Sequence, residues 1–288
     1  MKISNSIPAA QHAVSLLHKA ATSQAKTGEE LLKKLHQIKN KIFLAQPYQP
    51  ILQNSCNYIL HKLSHNNLPK LKDELQKRIS FVADHLKHSH SRIAECGYLK
   101  IRRGMTVYTH CYYSSVLDLL LKAKSKGINF KVNNTEARPY LSGRLMAQQL
   151  AKHNIMVQHY PDFGVRLAIK NADVVLLGAK AISPQGQVYA PLGSELVAVL
   201  AQKYDVPVYV CADTWKYSSS VIQLYEKMKL RSTQEIWEKP PQKVTVLNYD
   251  FEKVDPKLLT GTITELGIHK PHSLLAEIKA QYPWIETH

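Results

Sequence analysis

The stretch "DVVLLGAKAISPQGQVYAPLGSELVAVLAQKYDVPVYVCA" (residues 173–212) carries the strongest indication of the fold. Its apolar run at 173–179 predicts a buried strand, the amphipathic segment 194–205 predicts a helix, and 207–212 predicts a second strand. This order is typical of a parallel sheet covered by helices on both faces. Such sheets bind ligands beyond the carboxyl ends of their strands, where Lys180 stands in this sequence.

The same alternation continues along the rest of the C-terminal part. The other predicted strands are 106–110, 130–134, 155–160 and 243–249, and the other predicted helices are 114–127 and 142–154. From about residue 6 to residue 103 the apolar residues recur at helical spacing, with almost no glycine. We therefore predict an α/β protein with a helical N-terminal domain at 1–104. A Rossmann-like domain with a mainly parallel sheet, a ligand pocket and a dimer interface follows at 105–288.

The charge of the chain is strongly basic and unevenly distributed. The formal net charge is +16, and residues 1–105 hold 17 Lys and Arg against 6 Asp and Glu. Such a segment attracts phosphate-bearing partners, namely RNA, nucleotides or an acidic protein face. A solvated basic surface without a partner is an equal alternative, because few aromatic residues accompany the charges.

Several classes of protein are disfavoured. The sequence has neither a GxGxxG nor a GxxxxGK[ST] motif, which argues against a dinucleotide oxidoreductase and a P-loop nucleotidase. No apolar run reaches the length of a membrane-spanning helix, and the start of the chain does not resemble a secretory signal. The four cysteines form no CxxC pair. Together with the missing secretory signal, this predicts reduced thiols, a cytoplasmic location and no structural zinc site. We also expect no cofactor.

The segment after the first predicted strand, "THCYYSSV" (109–116), offers a candidate site. Ser114 and Ser115 at a helix start suit a phosphate, or they only cap the helix. Cys111 beside them is either an acid or base with a lowered pKa or, more often at such positions, an inert packing residue. His110, Tyr112 and Tyr113 complete the segment.

Further candidates follow other predicted strands. Arg138 is suited to a phosphate or carboxylate, or to an ion pair with Glu136, and Arg144 lies nearby. Lys216, after the strand at 207–212, is a point charge for a phosphate, and Asp213 precedes it.

Histidines in "DHLKHSHSR" (84–92) raise the question of a metal site. Asp84, His85, His88 and His90 lie within one predicted helix, and His85 and His88 share a face. Without a catalytic carboxylate motif, a solvated helix surface is the better interpretation, and we predict no metal.

Five motifs in order resemble one family over nearly the whole second domain and, more loosely, the first. They are "THCYYSSVL" (109–117), "TEARPYLSGRLMAQQL" (135–150), "ADVVLLGAKAISPQGQVYAPLGSELVAVLAQKYDVPVYV" (172–210), "DTWKY" (213–217) and "LNYDFEKVDPKLLTGTITELGI" (247–268). They are similar to the alpha, beta and delta regulatory subunits of translation initiation factor 2B. The same family includes isomerases of ribose 1,5-bisphosphate and of methylthioribose 1-phosphate.

The resemblance implies roles for particular residues. The isomerases interconvert aldose and ketose phosphates with a cysteine, which corresponds to Cys111, and an aspartate, whose position holds Lys180 here. Lys216 matches a phosphate-binding lysine, Ser114 and Ser115 lie near the substrate segment, and Tyr113 fills a position that is usually small.

Other departures from the isomerase pattern agree with the loss of the aspartate. Ala190 and Pro191 stand where the isomerases have an Asn-Lys pair, Gln46 stands at a substrate arginine, and their N-terminal Arg-Gly-Ala loop has no counterpart in 4–13.

These observations predict a non-catalytic, regulatory-subunit-like protein with a cationic pocket for a sugar phosphate or nucleotide. The ligand-binding candidates are Ser114, Ser115, Arg138, Lys180 and Lys216. We expect a homodimer, and other initiation factor subunits are further candidate partners. The alternative is a divergent aldose-ketose isomerase in which Cys111 is catalytic and Lys180, Asp213 or Asp250 takes the lost role. A third hypothesis is RNA binding by the basic helical domain.

Overall fold

The N-terminal part of the protein is helical, as the periodicity predicts. The computed structural model describes residues 6–64, 66–219 and 231–286. The first four helices are α1 (Ser6–Ala21), α2 (Gly28–Ala45), α3 (Pro50–Leu60) and α4 (Leu68–Gly97). The Thr27 side chain accepts a hydrogen bond from the backbone N–H of Glu30 and caps α2, and Asn67 caps α4 in the same way through Lys70.

Helices and strands alternate from Thr106 onward. The sheet contains β1 (Thr106–Thr109), β2 (Lys131–Thr135), β3 (Met156–Tyr160), β4 (Val174–Gly178), β7 (Val208–Cys211), β9 (Gly261–Thr264) and β10 (Gly267–His269). Its order is β10-β9-β7-β4-β1-β2-β3, and only the pair β9–β10 is antiparallel. The helices are α5 (Ser114–Ser125), α6 (Ser142–Lys152), α7 (Val165–Lys170), α8 (Ser194–Lys203) and α9 (Pro271–Gln281). The predicted fold class, an α/β protein with a mainly parallel sheet after a helical part, is confirmed.

A second, smaller sheet follows directly from Lys180. It consists of β5 (Ala181–Ile182), β6 (Val188–Pro191) and β8 (Phe251–Val254), all antiparallel. The predicted strand at 243–249 is wrong, because residues 243–248 form irregular backbone in which Val244 and Leu247 are exposed. The strand in this region starts at Phe251 instead.

The helical part and the sheet share buried contacts. Leu17 and Leu75 from the helices belong to the same buried apolar cluster as Val175 and Trp215 from the α/β part. Helix α4 also packs against α5 and β9. The helical part and the α/β part are therefore joined by a continuous core. The predicted domain boundary at residue 104 stays a prediction. Within the described residues, no helix combines the length and apolar character needed to span a bilayer.

Candidate anion site at the sheet edge

The predicted site segments lie at one edge of the sheet. Strands β7, β4, β1 and β2 are parallel neighbours, so the residues that follow their carboxyl ends come together. These residues are 110–115 after β1, 136–140 after β2, 179–180 after β4 and 212–216 after β7. The small sheet, which continues from β4, lies next to this edge.

Lys180 is half-buried at this edge. Its backbone N–H donates to the carbonyl oxygen of Tyr189 at 2.8 Å, and its Nζ lies 5.1 Å from the centroid of the Phe251 ring. Burial lowers the pKa of Lys180 to about 8; Asp250 acts in the opposite direction, while Lys216 and Arg231 lower the pKa further. Lys180 therefore lies near two further cations, Lys216 and Arg231, and near the Asp250 carboxylate.

Arg231 is a site residue that the sequence reasoning missed. Its Nη1 donates to both carboxylate oxygens of Asp250 at 3.2 and 3.3 Å, and its guanidinium carbon lies 4.4 Å from the centroid of the Tyr140 ring. Burial lowers the pKa of Arg231, but Asp250, Tyr140 and Glu235 together raise it by more, so the net shift is upward. Because Arg231 engages Asp250, this carboxylate is poorly placed to act as a free base.

Cys111 and His110 form a buried pair after β1. The backbone of Cys111 has a φ of 62°, a left-handed conformation that a non-glycine residue adopts at some cost in energy. His110 donates from Nε2 to the carbonyl oxygen of Leu192 at 2.9 Å, which leaves Nδ1 for the Cys111 side chain and for Thr135 Oγ1 at 3.3 Å. Burial lowers the pKa of His110, but Cys111 and the Leu192 carbonyl raise it to about 9.

Gly193 makes the approach to His110 possible. Its φ is +98°, and a Cβ at this position would lie 3.1 Å from His110 Nε2. A side chain here would be strained in its backbone and would crowd the histidine.

The serines at the start of α5 do not cap the helix through their side chains. Tyr113 occupies the N-cap position and no side-chain hydrogen bond caps the helix, so the simple capping interpretation is wrong. Ser115 is buried and its Oγ donates to the carbonyl oxygen of Cys211 at 2.9 Å, which ties α5 to the end of β7. Ser114 is half-buried at the first turn of the helix.

Tyr113 and Lys216 hold the end of β4. Lys216 is 3% exposed, its Nζ donates to the carbonyl oxygen of Ala179 at 2.8 Å, and it lies 5.6 Å from the centroid of the Tyr113 ring. The Tyr113 ring rests on Gly178 so closely that a Cβ there would lie 2.0 Å from Tyr113 Cγ. Burial lowers the pKa of Lys216, although Asp213 counteracts the shift. In the structure Lys216 positions the backbone that carries Lys180, and its contact with a phosphate stays a prediction.

Arg138 lies at the same edge with an exposed side chain. Its backbone N–H and that of Ala137 donate to the two carboxylate oxygens of Asp162, each at 2.8 Å. The expected alternative partner, Glu136, pairs with Arg144 instead. Arg138 makes no ion pair within the described parts of the chain, so its role toward an anion remains open to test.

Asp213 is not available to a ligand. It is fully buried, it accepts hydrogen bonds from His85 Nε2 at 3.1 and 3.2 Å, and it accepts another from the Trp215 backbone at 2.8 Å. Burial favours the neutral acid, but the cationic His85 holds the pKa of Asp213 well below its usual range. The interpretation of His85 as a solvated residue is wrong, because its ring is buried and stacks on Trp215 at 4.0 Å, whereas His88 is half-buried.

Glu265 completes this buried cluster. Burial and the neighbouring Asp213 raise the pKa of Glu265 to about 7. One ligand atom each from His85, Asp213 and Glu265 lies within 4.8 Å of the others, and these residue types suit a divalent cation. The cluster contains its own cations, however, because His85 and Lys216 both act on the two carboxylates. Its charges are therefore balanced by the protein itself.

The architecture defines an α/β protein with a helical N-terminal part and a cationic edge on a parallel sheet. The chain belongs to the Initiation factor 2 subunit family, and residues 2–271 match the sequence pattern of that family. The family resemblance inferred from the five motifs is confirmed.

The relatives include both enzymes and translation factors. Ribose 1,5-bisphosphate isomerase from Pyrococcus furiosus is 28% identical over 284 residues, which cover 94% of this chain and 87% of the relative. Translation initiation factor eIF2B subunit alpha from Dictyostelium discoideum is 28% identical over 232 residues, which cover 77% and 72%.

Solved structures share the fold. The translation initiation factor eIF-2B from Pyrococcus horikoshii OT3 aligns with a TM-score of 0.78 at 23% identity, covering 94% of this chain and 93% of that one. The 5-methylthioribose 1-phosphate isomerase from the same organism aligns with a TM-score of 0.74 at 21% identity, covering 98% and 85%.

Proposed function

We propose that this protein binds a small phosphorylated ligand, a sugar phosphate or a nucleotide, at the sheet edge and does not isomerise it at neutral pH. The observation that carries the proposal is the cationic group around Lys180. Lys216 and Arg231 act on Lys180, and Asp250 is the one carboxylate that acts on it within the described residues. Positive charges at the edge of a sheet attract an anion, although Lys216 also acts on Asp213 and Glu265, and Arg231 also pairs with Glu235.

The chemistry of Lys180 is the reason why we expect no turnover. By resemblance, the isomerases of the family use a carboxylate at this position to accept and return a hydroxyl proton. With a pKa of about 8, Lys180 is mainly an ammonium at neutral pH, and an ammonium donates hydrogen bonds but cannot accept a proton. The side chain therefore suits a phosphate or a hydroxyl in a bound state but not proton abstraction.

Calorimetric titration with ribose 1,5-bisphosphate tests the binding. We expect Lys180→Met to weaken binding by about tenfold or more, since a hydrogen bond to a charged group contributes about 1.5–3 kcal/mol. Lys152→Met, which removes an exposed lysine from α6, is the matched control and should bind as the wild type does. Equal affinity of the Lys180 variant and the control contradicts the assignment.

A regulatory role in translation is part of the proposal. It is supported by the relatives named as eIF2B subunits and by the fold shared with the tetrameric beta2-delta2 complex from Chaetomium thermophilum. Leu196 and Val199 of α8 are 54% and 46% exposed and form an apolar patch with Leu192, which precedes the helix and is 47% exposed. We assign this face to a second copy of the chain and then to related subunits.

Sedimentation analysis tests this assembly. The wild-type protein should sediment as a dimer, and Leu196→Glu should shift it toward the monomer, because a charge in an apolar interface is costly. The control Gln202→Glu changes charge on the same helix at an exposed polar position. A dimer that is equally stable in both variants places the interface elsewhere.

A second candidate function, aldose-ketose isomerisation, is favoured by one observation. The buried Cys111 and His110 pair remains in place, and a lysine with a pKa of about 8 becomes a base in mildly alkaline solution. An isomerase of this type would gain activity as the pH rises through about 8. Turnover that follows this pH profile and disappears in Cys111→Ser would replace the non-catalytic proposal.

A further inference from the structure

A groove lies on the helical part of the protein, away from the sheet edge. Its volume is about 380 Å³, and it runs between α2 and the end of α3. The lining residues are Leu32, His36, Lys39, Asn57, Leu60, His61, Lys62 and Leu63. Among these described residues are two lysines and two histidines but no aspartate or glutamate.

Lys39 is the informative residue of this groove. Its side chain is half-buried, and lysines that leave solvent usually pair with an acid. The contacts of its Nζ are instead with the neutral Asn57 Oδ1 at 3.4 Å and with the ring of Phe43, whose centroid is 5.5 Å away. Burial lowers the pKa of Lys39, and no carboxylate of the described chain offsets that shift.

The neighbouring thiol does not supply the missing negative charge. Burial raises the pKa of Cys56 to about 12, so this residue is a neutral thiol at physiological pH. Lys39 therefore has no anionic partner among the described residues.

The carbonyl groups at the end of α3 are already occupied as well. Arg78 donates from Nη1 to the carbonyl oxygens of Tyr58 and His61, and it pairs through Nε with Glu74 at 2.6 Å. Arg78 thus neutralises the negative end of this helix, and Glu74 is engaged by Arg78. Lys39 and Lys62 are therefore needed neither to neutralise the end of α3 nor to pair with Glu74.

The positive charges in and around the groove disfavour protonation of its two histidines. Burial and Lys39 lower the pKa of His36, and burial, Lys62 and Arg78 lower the pKa of His61, so both rings are mainly neutral at pH 7. A bound anion would counteract this and favour their protonated forms. Next to the charges, Leu32, Leu60 and Leu63 provide an apolar surface for an uncharged part of a ligand.

We propose that this groove is a second anion site, which binds a small phosphorylated molecule with its phosphate at Lys39 and Lys62 and its apolar part on the three leucines. The site is separate from the sheet edge, and it does not depend on the function proposed there. The excess of basic residues in the first 105 positions, 17 against 6 acidic ones, would favour the approach of such a ligand.

Calorimetric titration of the full chain tests the second site, with inorganic phosphate, adenosine monophosphate and adenosine as probes. On a Lys180→Met background, which removes binding at the sheet edge, the variant Lys39→Gln/Lys62→Gln should lose affinity for adenosine monophosphate by about tenfold or more, since it removes two charged donors. The control Lys33→Gln/Lys41→Gln removes the same charge from exposed positions of α2 outside the groove and, on the same background, should bind as Lys180→Met alone does. Adenosine should bind far more weakly, and inorganic phosphate should bind more weakly than the nucleotide.

The Lys180→Met variant separates the two sites. Loss of nucleotide binding in Lys180→Met, with normal binding in Lys39→Gln/Lys62→Gln, assigns all binding to the sheet edge and overturns the second site. Absence of nucleotide and phosphate binding to the wild type at millimolar concentrations overturns it as well. Because both groove variants change only surface or half-buried lysines, unchanged melting temperatures serve as the folding control.

Discussion

Replacement of Glu265 by glutamine should stabilise the protein in a manner that depends on pH. Glu265 sits in the buried cluster with Asp213 and His85, and it accepts hydrogen bonds from the hydroxyl and the backbone N–H of Thr214. Burial and Asp213 raise its pKa from 4.5 to about 7. Ionised Glu265 is therefore destabilised in the folded protein relative to the unfolded chain.

The size of the effect follows from this shift. Since the folded pKa lies above the unfolded one, the cost appears as the pH rises above 4.5 and is complete above about 7. At 1.36 kcal/mol per pKa unit the cost is about 1 kcal/mol at about pH 5 and about 3 kcal/mol at about pH 8. Glu265→Gln removes the charge and therefore this cost. The gain in the free energy of unfolding should thus be about 2 kcal/mol larger at about pH 8 than at about pH 5.

Urea denaturation of the wild type and the variant at both pH values measures this difference. Glutamine has one acceptor oxygen instead of two, so a hydrogen bond from Thr214 is weakened at a cost of about 1 kcal/mol. This cost is nearly the same at both pH values and therefore largely cancels in the comparison. The control Glu277→Gln changes an exposed carboxylate of α9 and should have little effect at either pH. If Glu265→Gln changes the free energy of unfolding equally at both pH values, the pKa of Glu265 is not raised in the folded protein.

Three further substitutions test the packing around the site. Lys216→Met leaves the Ala179 carbonyl without its donor and should lower the free energy of unfolding by about 1–3 kcal/mol in urea titrations, and an unchanged midpoint would contradict this. Gly178→Ala should cost about 1–3 kcal/mol because the new methyl group overlaps the Tyr113 ring, and the cost should nearly disappear when Tyr113→Ala is also present; equal costs in both backgrounds would count against the overlap. His85→Ala removes the cation from a buried carboxylate and should cost about 3–5 kcal/mol by the same assay, whereas a loss below 1 kcal/mol would show that the pair is not needed.

The sequence was sufficient to predict much of the sheet and its edge. β1 to β4 and β7 were predicted because short β-branched runs alternate with amphipathic helices. Since parallel strands end at one edge, the positions after β1, β4 and β7 were expected to meet, and they do.

The predictions failed where pattern and burial disagree. The segment 243–249 alternates like a strand, but its apolar residues Val244 and Leu247 are exposed. The strand of this region, β8, was not predicted because Glu252 and Lys253 interrupt its apolar pattern. Short strands such as β9 and β10, with their threonines and glycines, also carry little periodic signal.

Long-range pairs in the site had no local signal. His85 and Asp213 are 128 positions apart, and only the packing of α4 on the sheet brings them together. Arg231 lies in a stretch without a motif, so its position beside Lys180 and Asp250 could not be read from spacing. Whether Lys180 is a charge or a base depends on its burial, which the sequence does not specify.

The most direct test of the central claim is product-sensitive NMR of ribose 1,5-bisphosphate incubated with the protein at neutral pH. We expect the sugar phosphate to bind and to be recovered unchanged, because Lys180 is mainly an ammonium at this pH. The variant Lys180→Asp, measured in parallel, supplies the carboxylate that is missing from the site. Turnover by the wild-type protein that is abolished in Cys111→Ser would contradict the claim.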